Sequence, residues 1–401
     1  MPFSGDHGAG ECEPRPATVA DVSEHIRVSC ALASARPTVG AEVEWLVVDL
    51  ADPAARPTEA ALRRSLAGVD LPGGSRLSFE PGGQVELSSR PAPTADEVQA
   101  GLLADFSVLR LALRSRGFDL VATAHDASRA PQLVSDNPRY AAMEQWFSSE
   151  GWTAAPEMMC NTTSIQVNVG CGPDPSSTWR RANQLAPVLA AMFAWSSDGR
   201  WASSRLRTWA ALDPSRTASA LVSGDAIADW TQFALDASVM LRRLPEGSFA
   251  PMFGGVSLRE WVENPPAGWP PATLADVDLH LTTLFPPVRL KGWIEVRVID
   301  MPADGSWSVP LAVTYALLAA PPSGPAGGAL AFVDDVRDVT WREAAQTGLD
   351  SPRLAAAADH ALRLALSCLD AQGSNLVAEV RRFHRERVMP RLTTRPSADA
   401  R

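Results

Sequence analysis

Phe79-Glu-Pro-Gly-Gly-Gln-Val-Glu-Leu-Ser88 is the stretch whose reading decides the fold. Its centre, Pro81-Gly82-Gly83, has turn chemistry, because proline presets φ and glycine accepts the left-handed region. Its second half alternates: Gln84, Glu86 and Ser88 share one side of a strand, and Val85 and Leu87 take the other. The pattern predicts a strand pair over Leu77–Ser89 with one polar and one apolar face. Glu80 enters from just before the turn.

The same alternation recurs in three other places. In Gly40-Ala-Glu-Val-Glu-Trp45, Glu42 and Glu44 oppose Val43 and Trp45. In Ser164-Ile-Gln-Val-Asn-Val169, Gln166 and Asn168 oppose Ile165, Val167 and Val169. In Trp293-Ile-Glu-Val-Arg-Val298, Glu295 and Arg297 oppose Ile294, Val296 and Val298. One wet face of an antiparallel sheet accounts for any single strand of this kind. It accounts less well for the set, since glutamate is depleted in strands and neighbouring glutamates repel unless a cation lies between them. Lys291 is the only lysine, so the cation is not a lysine ammonium, Lys291 apart. A hard divalent metal with oxygen ligands, working beside a phosphate, meets the requirement. The face therefore reads as a carboxylate cup for Mg²⁺, with Arg297 as a planar fork for phosphate.

Two further segments carry chemistry-bearing residues. Arg205, Arg207 and Arg216 lie between Trp201 and Thr217; taken alone, that segment reads as a solvated loop with incidental arginines in an arginine-rich chain. His280, Thr282, Thr283, Arg289 and Lys291 form a polar run feeding into the Glu295/Arg297 strand, which makes His280 a candidate active-site residue. Trp195, Trp201 and Trp209 read as packing residues.

Composition bounds the rest. The 401 residues are 46% hydrophobic and 20% charged, enough for a sizeable core, and the formal charge of −10 argues against a nucleic-acid binder. It does not argue against ATP, whose phosphates reach acidic side chains through metal ions. The five cysteines, at 12, 30, 160, 171 and 368, form no C-x-x-C pair, so neither structural zinc nor a redox motif is expected. The chain has no G-x-x-x-x-G-K-[ST] loop, no G-x-S-x-G elbow and no H-E-x-x-H. Its most apolar stretch, Val309–Ala320, contains a proline and is too short to span a bilayer. A cytoplasmic protein is expected. Helices are predicted at Thr18–Ala33, Thr94–Arg116, Asn137–Ser149, Trp179–Trp195, Asp225–Leu244, Val309–Ala320, Ser351–Asp370 and Ser374–Val388. Strands scattered among helices predict one α+β unit with a mainly antiparallel sheet over residues 17–389, after a disordered leader (1–16) and before a frayed tail (390–401).

Taken in order, Gly40–Glu44, Phe79–Ser88, Thr162–Asn168, Arg205–Thr217 and His280–Arg297 resemble the glutamate–cysteine ligase family of the plant and bacterial type. The F-E-P-G-G-Q-x-E-L-S and H-x-T-T-x-F-P-x-V-R-x-K strings are the specific ones. Size and composition are most like the high-GC bacterial branch that serves ergothioneine biosynthesis. The resemblance implies a glutamine-synthetase-like fold whose curved sheet forms a funnel. It implies a reaction of ATP, L-glutamate and L-cysteine giving γ-glutamylcysteine, ADP and phosphate, with two or more Mg²⁺ ions. Position by position, Glu42, Glu44, Glu80, Glu86 and Glu295 resemble the metal ligands. Arg297 and Arg205 resemble catalytic arginines. Arg216, Gln166, Asn168, Thr282 and Thr283 fall at substrate-binding positions, and Arg289 and Lys291 at nucleotide-binding ones. Arg207 matches no family position, and the regulatory cysteines of plant members have no counterpart. A monomer is favoured, with no nucleic acid or membrane partner. Three other readings stay open: the same fold with another amine acceptor, a non-catalytic nucleotide-binding relative, and a guanidino-phosphoryl-transfer kinase.

Overall fold

The computed structural model describes residues 15–30, 33–34, 37–319 and 330–393. Most of the expected leader, the Pro/Gly-rich stretch 321–328 and the tail beyond residue 393 lie outside the described residues. Within the expected tail, Met389–Thr393 is helical.

The strands are β1 (Val39–Asp49), β2 (Arg76–Phe79), β3 (Val85–Ser88), β4 (Phe118–Val121), β5 (Ser164–Val169), β6 (Leu241–Arg243), β7 (Phe249–Pro251), β8 (Val288–Leu290) and β9 (Ile294–Asp300). The main sheet runs β2-β3-β1-β5-β9-β8, with β4 added to the far half of β1, and every pairing is antiparallel. Its apolar face carries Val43, Trp45, Val85, Leu87, Ile165, Val167, Ile294 and Val296, all buried. The buried Ser308–Ala319 helix, which takes in the described part of the most apolar stretch of the sequence, packs against β5 and against the Pro352–Gln372 helix. No helix among the described residues is long and apolar enough to cross a membrane.

Register lines the polar residues up across the sheet. Glu42 stands opposite Ser88 on one side and Gln166 on the other. Glu44 stands opposite Glu86, and Glu86 opposite Ser78. Asn168 faces Glu295, which faces Arg289. A bulge puts one extra residue on β9 between Val296 and Ile299, so Ile299 pairs with Ile165 and Asp300 with Ser164. The alternation on β9 is thereby reversed after Arg297, and Asp300 joins the side that Ser164 occupies.

Several expectations are corrected. The helix predicted over Asp225–Leu244 ends at Asp236. Ala237 turns extended, Val239 bonds Val256, and the chain enters the β6–β7 hairpin, so tertiary hydrogen bonds override local helix preference. The predicted strand over Lys291–Val298 begins only at Ile294, because Lys291-Gly292 forms the β8–β9 turn with Gly292 at φ +82°. The segment read as a solvated arginine loop contains the Ser204–Ala210 and Pro214–Thr217 helices, with Arg205 and Arg216 buried.

Candidate active site

A cavity of about 630 Å³ opens over the polar face of the sheet. One wall is acidic: Glu42 and Glu44 from β1, Glu86 from β3 and Glu80 from the turn before it. That turn is tightly built. Gln84 accepts from the Gly82 amide at 2.9 Å and donates to the Met159 and Thr162 carbonyls at 3.2 and 3.0 Å. A Cβ on Gly82 would fall 2.3 Å from the Cys160 carbonyl oxygen, and Gly83 sits at φ +81°. Only glycine fits both positions, which explains the double glycine and fixes where Glu80 stands.

The carboxylates are poised as a group. Burial pushes the Glu42, Glu44, Glu80 and Glu86 carboxyls above the usual range. Charges of neighbouring glutamates add to this at Glu42, Glu80 and Glu86. Glu44 accepts from the Ser164 amide at 2.8 Å and from Gln166 Nε2 at 3.0 Å. Glu86 accepts from Ser78 at 2.7 Å and Ser88 at 3.0 Å, and Glu42 from Asn168 at 3.2 Å. These bonds draw the carboxylates toward different neighbours, and no three acid, imidazole or thiol groups among the described residues form a ready metal cage. The donor set nonetheless fits a hard divalent cation: oxygen ligands only, crowded and partly desolvated, facing one cavity.

Glu295, expected to join these ligands, is placed differently. It is fully buried, and Arg289 Nε (2.6 Å), Arg297 Nη1 (2.9 Å) and Lys291 Nζ (3.2 Å) all reach it. Burial alone would raise its pKa, but Arg289, Arg297 and Lys291 outweigh burial and hold the carboxyl well below the usual range. With both oxygens engaged by cations, it anchors the basic wall. Arg289 spends its donors on Glu295 and the Leu284 carbonyl. Lys291 stands 3.8 Å from Glu42 and lines a second cavity of about 710 Å³, which shares Glu42 and Arg76 with the first and also takes in Asn168.

Arg297 lines the main cavity. Its Nη1 donates to Gln166 Oε1 and to Glu295, while Nε and Nη2 have no partner among the described residues. Arg205, also on the cavity, donates from Nη2 to the Arg297 carbonyl at 3.0 Å. Its Nη1 lies 3.7 Å from Asp300, which is itself held by the Trp195 and Ser196 amides and by the Ser196 and Ser203 hydroxyls.

Other expected residues are not brought to the cavity. Arg216 is fully buried, bonded to Asp213, the Thr283 carbonyl and the Ser238 carbonyl, and set 4.6 Å over the Trp146 ring. It is a structural anchor for the loop carrying Thr283, also buried, and Phe285, whose amide bonds the Arg216 carbonyl. His280 is buried on the Ala234 carbonyl, and burial beside Arg216 lowers its pKa to about 3, which keeps it neutral and away from the chemistry. Arg207 turns to Asp198 and Glu157. Thr282 does line the cavity, where Arg139 Nη2 donates to its hydroxyl at 2.9 Å.

Sequence reasoning missed Arg139, Tyr140 and Phe285, and it assigned Trp209 to packing; all four line the cavity. Buried Arg139 Nε, Arg205 Nη1 and Trp209 Nε1 lack hydrogen-bond partners among the described residues. Arg139 and Tyr140 open the Pro138–Ser149 helix, and nothing in that helix's pattern marks its first turn as part of the site.

The fold is shared with a solved ligase. A glutamate–cysteine ligase from Francisella tularensis, crystallised with AMP, superposes with a TM-score of 0.52 at 12% identity, covering 89% of this chain and 82% of that one. This bears out the expected ligase fold. The family model "Glutamate-cysteine ligase family 2 (GCS2)" matches residues 38–387, and the chain belongs to that family. It is 37% identical to the glutamate–cysteine ligase EgtA of Mycolicibacterium smegmatis over 341 residues, 82% of this chain and 79% of the relative. The Mycobacterium tuberculosis EgtA is also 37% identical, over 358 residues. The chloroplastic glutamate–cysteine ligase of Nicotiana tabacum is 28% identical over 59% of this chain.

Proposed function

We propose that this protein joins the γ-carboxylate of L-glutamate to the amine of L-cysteine at the expense of ATP, giving γ-glutamylcysteine, ADP and phosphate. The observation that carries the reading is the cavity itself: four glutamates gathered on one wall, and Arg297 with an unused guanidinium edge on another. A carboxylate does not condense with an amine unaided. Attack of the γ-carboxylate oxygen on the terminal phosphorus of ATP breaks the bond to ADP and forms an acyl phosphate. The cysteine amine then attacks the acyl carbon, the nitrogen gives up one proton, and phosphate departs with the former carboxylate oxygen. Negative charge gathers on the transferring group, so the protein's contribution is positioning and electrostatic stabilisation.

Arg297 presents Nε and Nη2 to that group, and Arg205 stands beside it. Glu42, Glu44, Glu80 and Glu86 would hold Mg²⁺, which when bound neutralises phosphate charge. Glu295 orders Arg289, Lys291 and Arg297 into one basic wall. Lys291, which lines both cavities, would meet nucleotide phosphates. The likeness to the EgtA relatives supports a product made for ergothioneine biosynthesis, and a cytoplasmic location is part of the proposal. The test follows the oxygen. Glutamate labelled with ¹⁸O in its γ-carboxylate should deliver one label into released phosphate for each amide formed. Amide formation with unlabelled phosphate would contradict the acyl-phosphate route.

A further inference from the structure

Arg297 is a cation in an awkward place. It shares Glu295 with Arg289 and Lys291, and the nearby Arg289 charge works against it. Glu42 and Glu44 also pull on it across the cavity. Its Nη1 is tied to Gln166 and Glu295, but those bonds leave the rest of the guanidinium free to turn onto the carboxylate wall, which would neutralise the acceptors there and take its fork out of play. In the structure it does not. Its Cζ lies 5.7 Å from the Trp209 ring centre and 5.9 Å from that of Phe285. The two rings brace each other edge to face, 5.3 Å apart at 65°.

We propose that Trp209 and Phe285 are positioning residues: an aromatic cradle that holds the Arg297 guanidinium off the glutamate wall with its Nε and Nη2 edge toward the cavity. The inference rests on the role given to Arg297 above. Three observations favour it over a packing or substrate-stacking role. Both rings sit within cation–π reach of the same guanidinium. Trp209 Nε1 is buried without a hydrogen-bond partner, so the indole is placed by its ring faces and not by its polar atom. The cradle's second ring is pinned from behind, since the Phe285 amide donates to the carbonyl of fully buried Arg216 at 2.8 Å. That also gives Arg216 its place in the machinery, as the anchor of the cradle.

The test is a double-mutant cycle with a metal readout. Trp209→Leu and Phe285→Leu should each lower kcat, on the order of 10²-fold for a misplaced reacting contact, while KM for glutamate moves far less. Trp209→Phe, which keeps a ring, should retain most activity. Adding Trp209→Leu to Arg297→Gln should cause no further loss, because its effect runs through the arginine. Thermal-shift titration with MgCl₂ alone should give a higher midpoint for Trp209→Leu than for wild type, and an unchanged midpoint when Trp209→Leu is added to Arg297→Gln. Losses that multiply in the double variant, with Mg²⁺ midpoints untouched in the single variants, would overturn the cradle. Full activity in Arg297→Gln would instead strike at the role of Arg297, and the Mg²⁺ midpoints would still decide whether the rings hold its side chain.

Discussion

Two glutamates of one face respond differently to removal, and the difference lies in their neighbours. Glu42 is crowded by Glu295 and Glu86 and has a raised pKa, so Glu42→Ala should abolish turnover yet leave the metal-free protein as stable as before, or more so. Glu295 is buried under three cations. Glu295→Ala should abolish turnover and also cost about 3–5 kcal/mol of stability, because it strands buried positive charge. Urea unfolding of both variants without metal checks the contrast; equal stability losses would contradict the assignment. The acidic residues were legible in the sequence because alternation assigns a face without any knowledge of partners. That Glu295 faces cations while Glu42 faces carboxylates was not legible, because it depends on which strands lie side by side. Arg216 shows the same limit: a guanidinium suits a substrate carboxylate and a buried carbonyl cage equally well, and only the packing of residues 213, 238 and 283 selects the second.

At the level of elements, the Glu80–Gln84 turn joins fold to site. Its double glycine and its Gln84 clamp seat the turn against the start of β5. Gly82→Ala forces a Cβ onto the Cys160 carbonyl and should destabilise by about 1–3 kcal/mol, as overpacking does. It should also weaken Mg²⁺-dependent stabilisation, because Glu80 moves with the turn. A melting temperature and Mg²⁺ titration like those of wild type would contradict that coupling. The turn was readable from Pro-Gly-Gly, and the sheet's two faces from period-two patterning. The β9 bulge was not readable, since a strand's own sequence does not reveal where its partner skips a residue. The bulge is what places Asp300 on the Ser164 side and near Arg205. The Ser204–Ala210 helix was hidden for another reason: at seven residues it is too short to display a period.

For the whole molecule, the carboxylate cluster ties stability to pH and to metal. Glu42, Glu44, Glu80 and Glu86 have folded pKa values above their ordinary 4.5. Such groups bind more protons folded than unfolded, so their contribution is present below pH 4.5 and is lost as pH rises through the folded values. Glu295 has the opposite sign: its contribution is present above 4.5 and disappears only far into acid. The metal-free protein should therefore lose stability as pH rises above the ordinary glutamate range, and MgCl₂ should restore more of it at pH 8 than at pH 5. Melting temperatures across that range, with and without the salt, check both signs; a Mg²⁺ effect that is largest at pH 5 would contradict the cluster's role.

The central claim is that this cavity couples ATP cleavage to joining glutamate and cysteine. The most direct measurement is an assay with MgCl₂, ATP and glutamate, run with and without cysteine, following ADP and identifying the product by mass. The account predicts γ-glutamylcysteine and stoichiometric ADP when cysteine is present, no γ-glutamylcysteine when it is omitted, and neither product without Mg²⁺. Amide formation with another amine but not with cysteine, or no ADP under any condition, would contradict it.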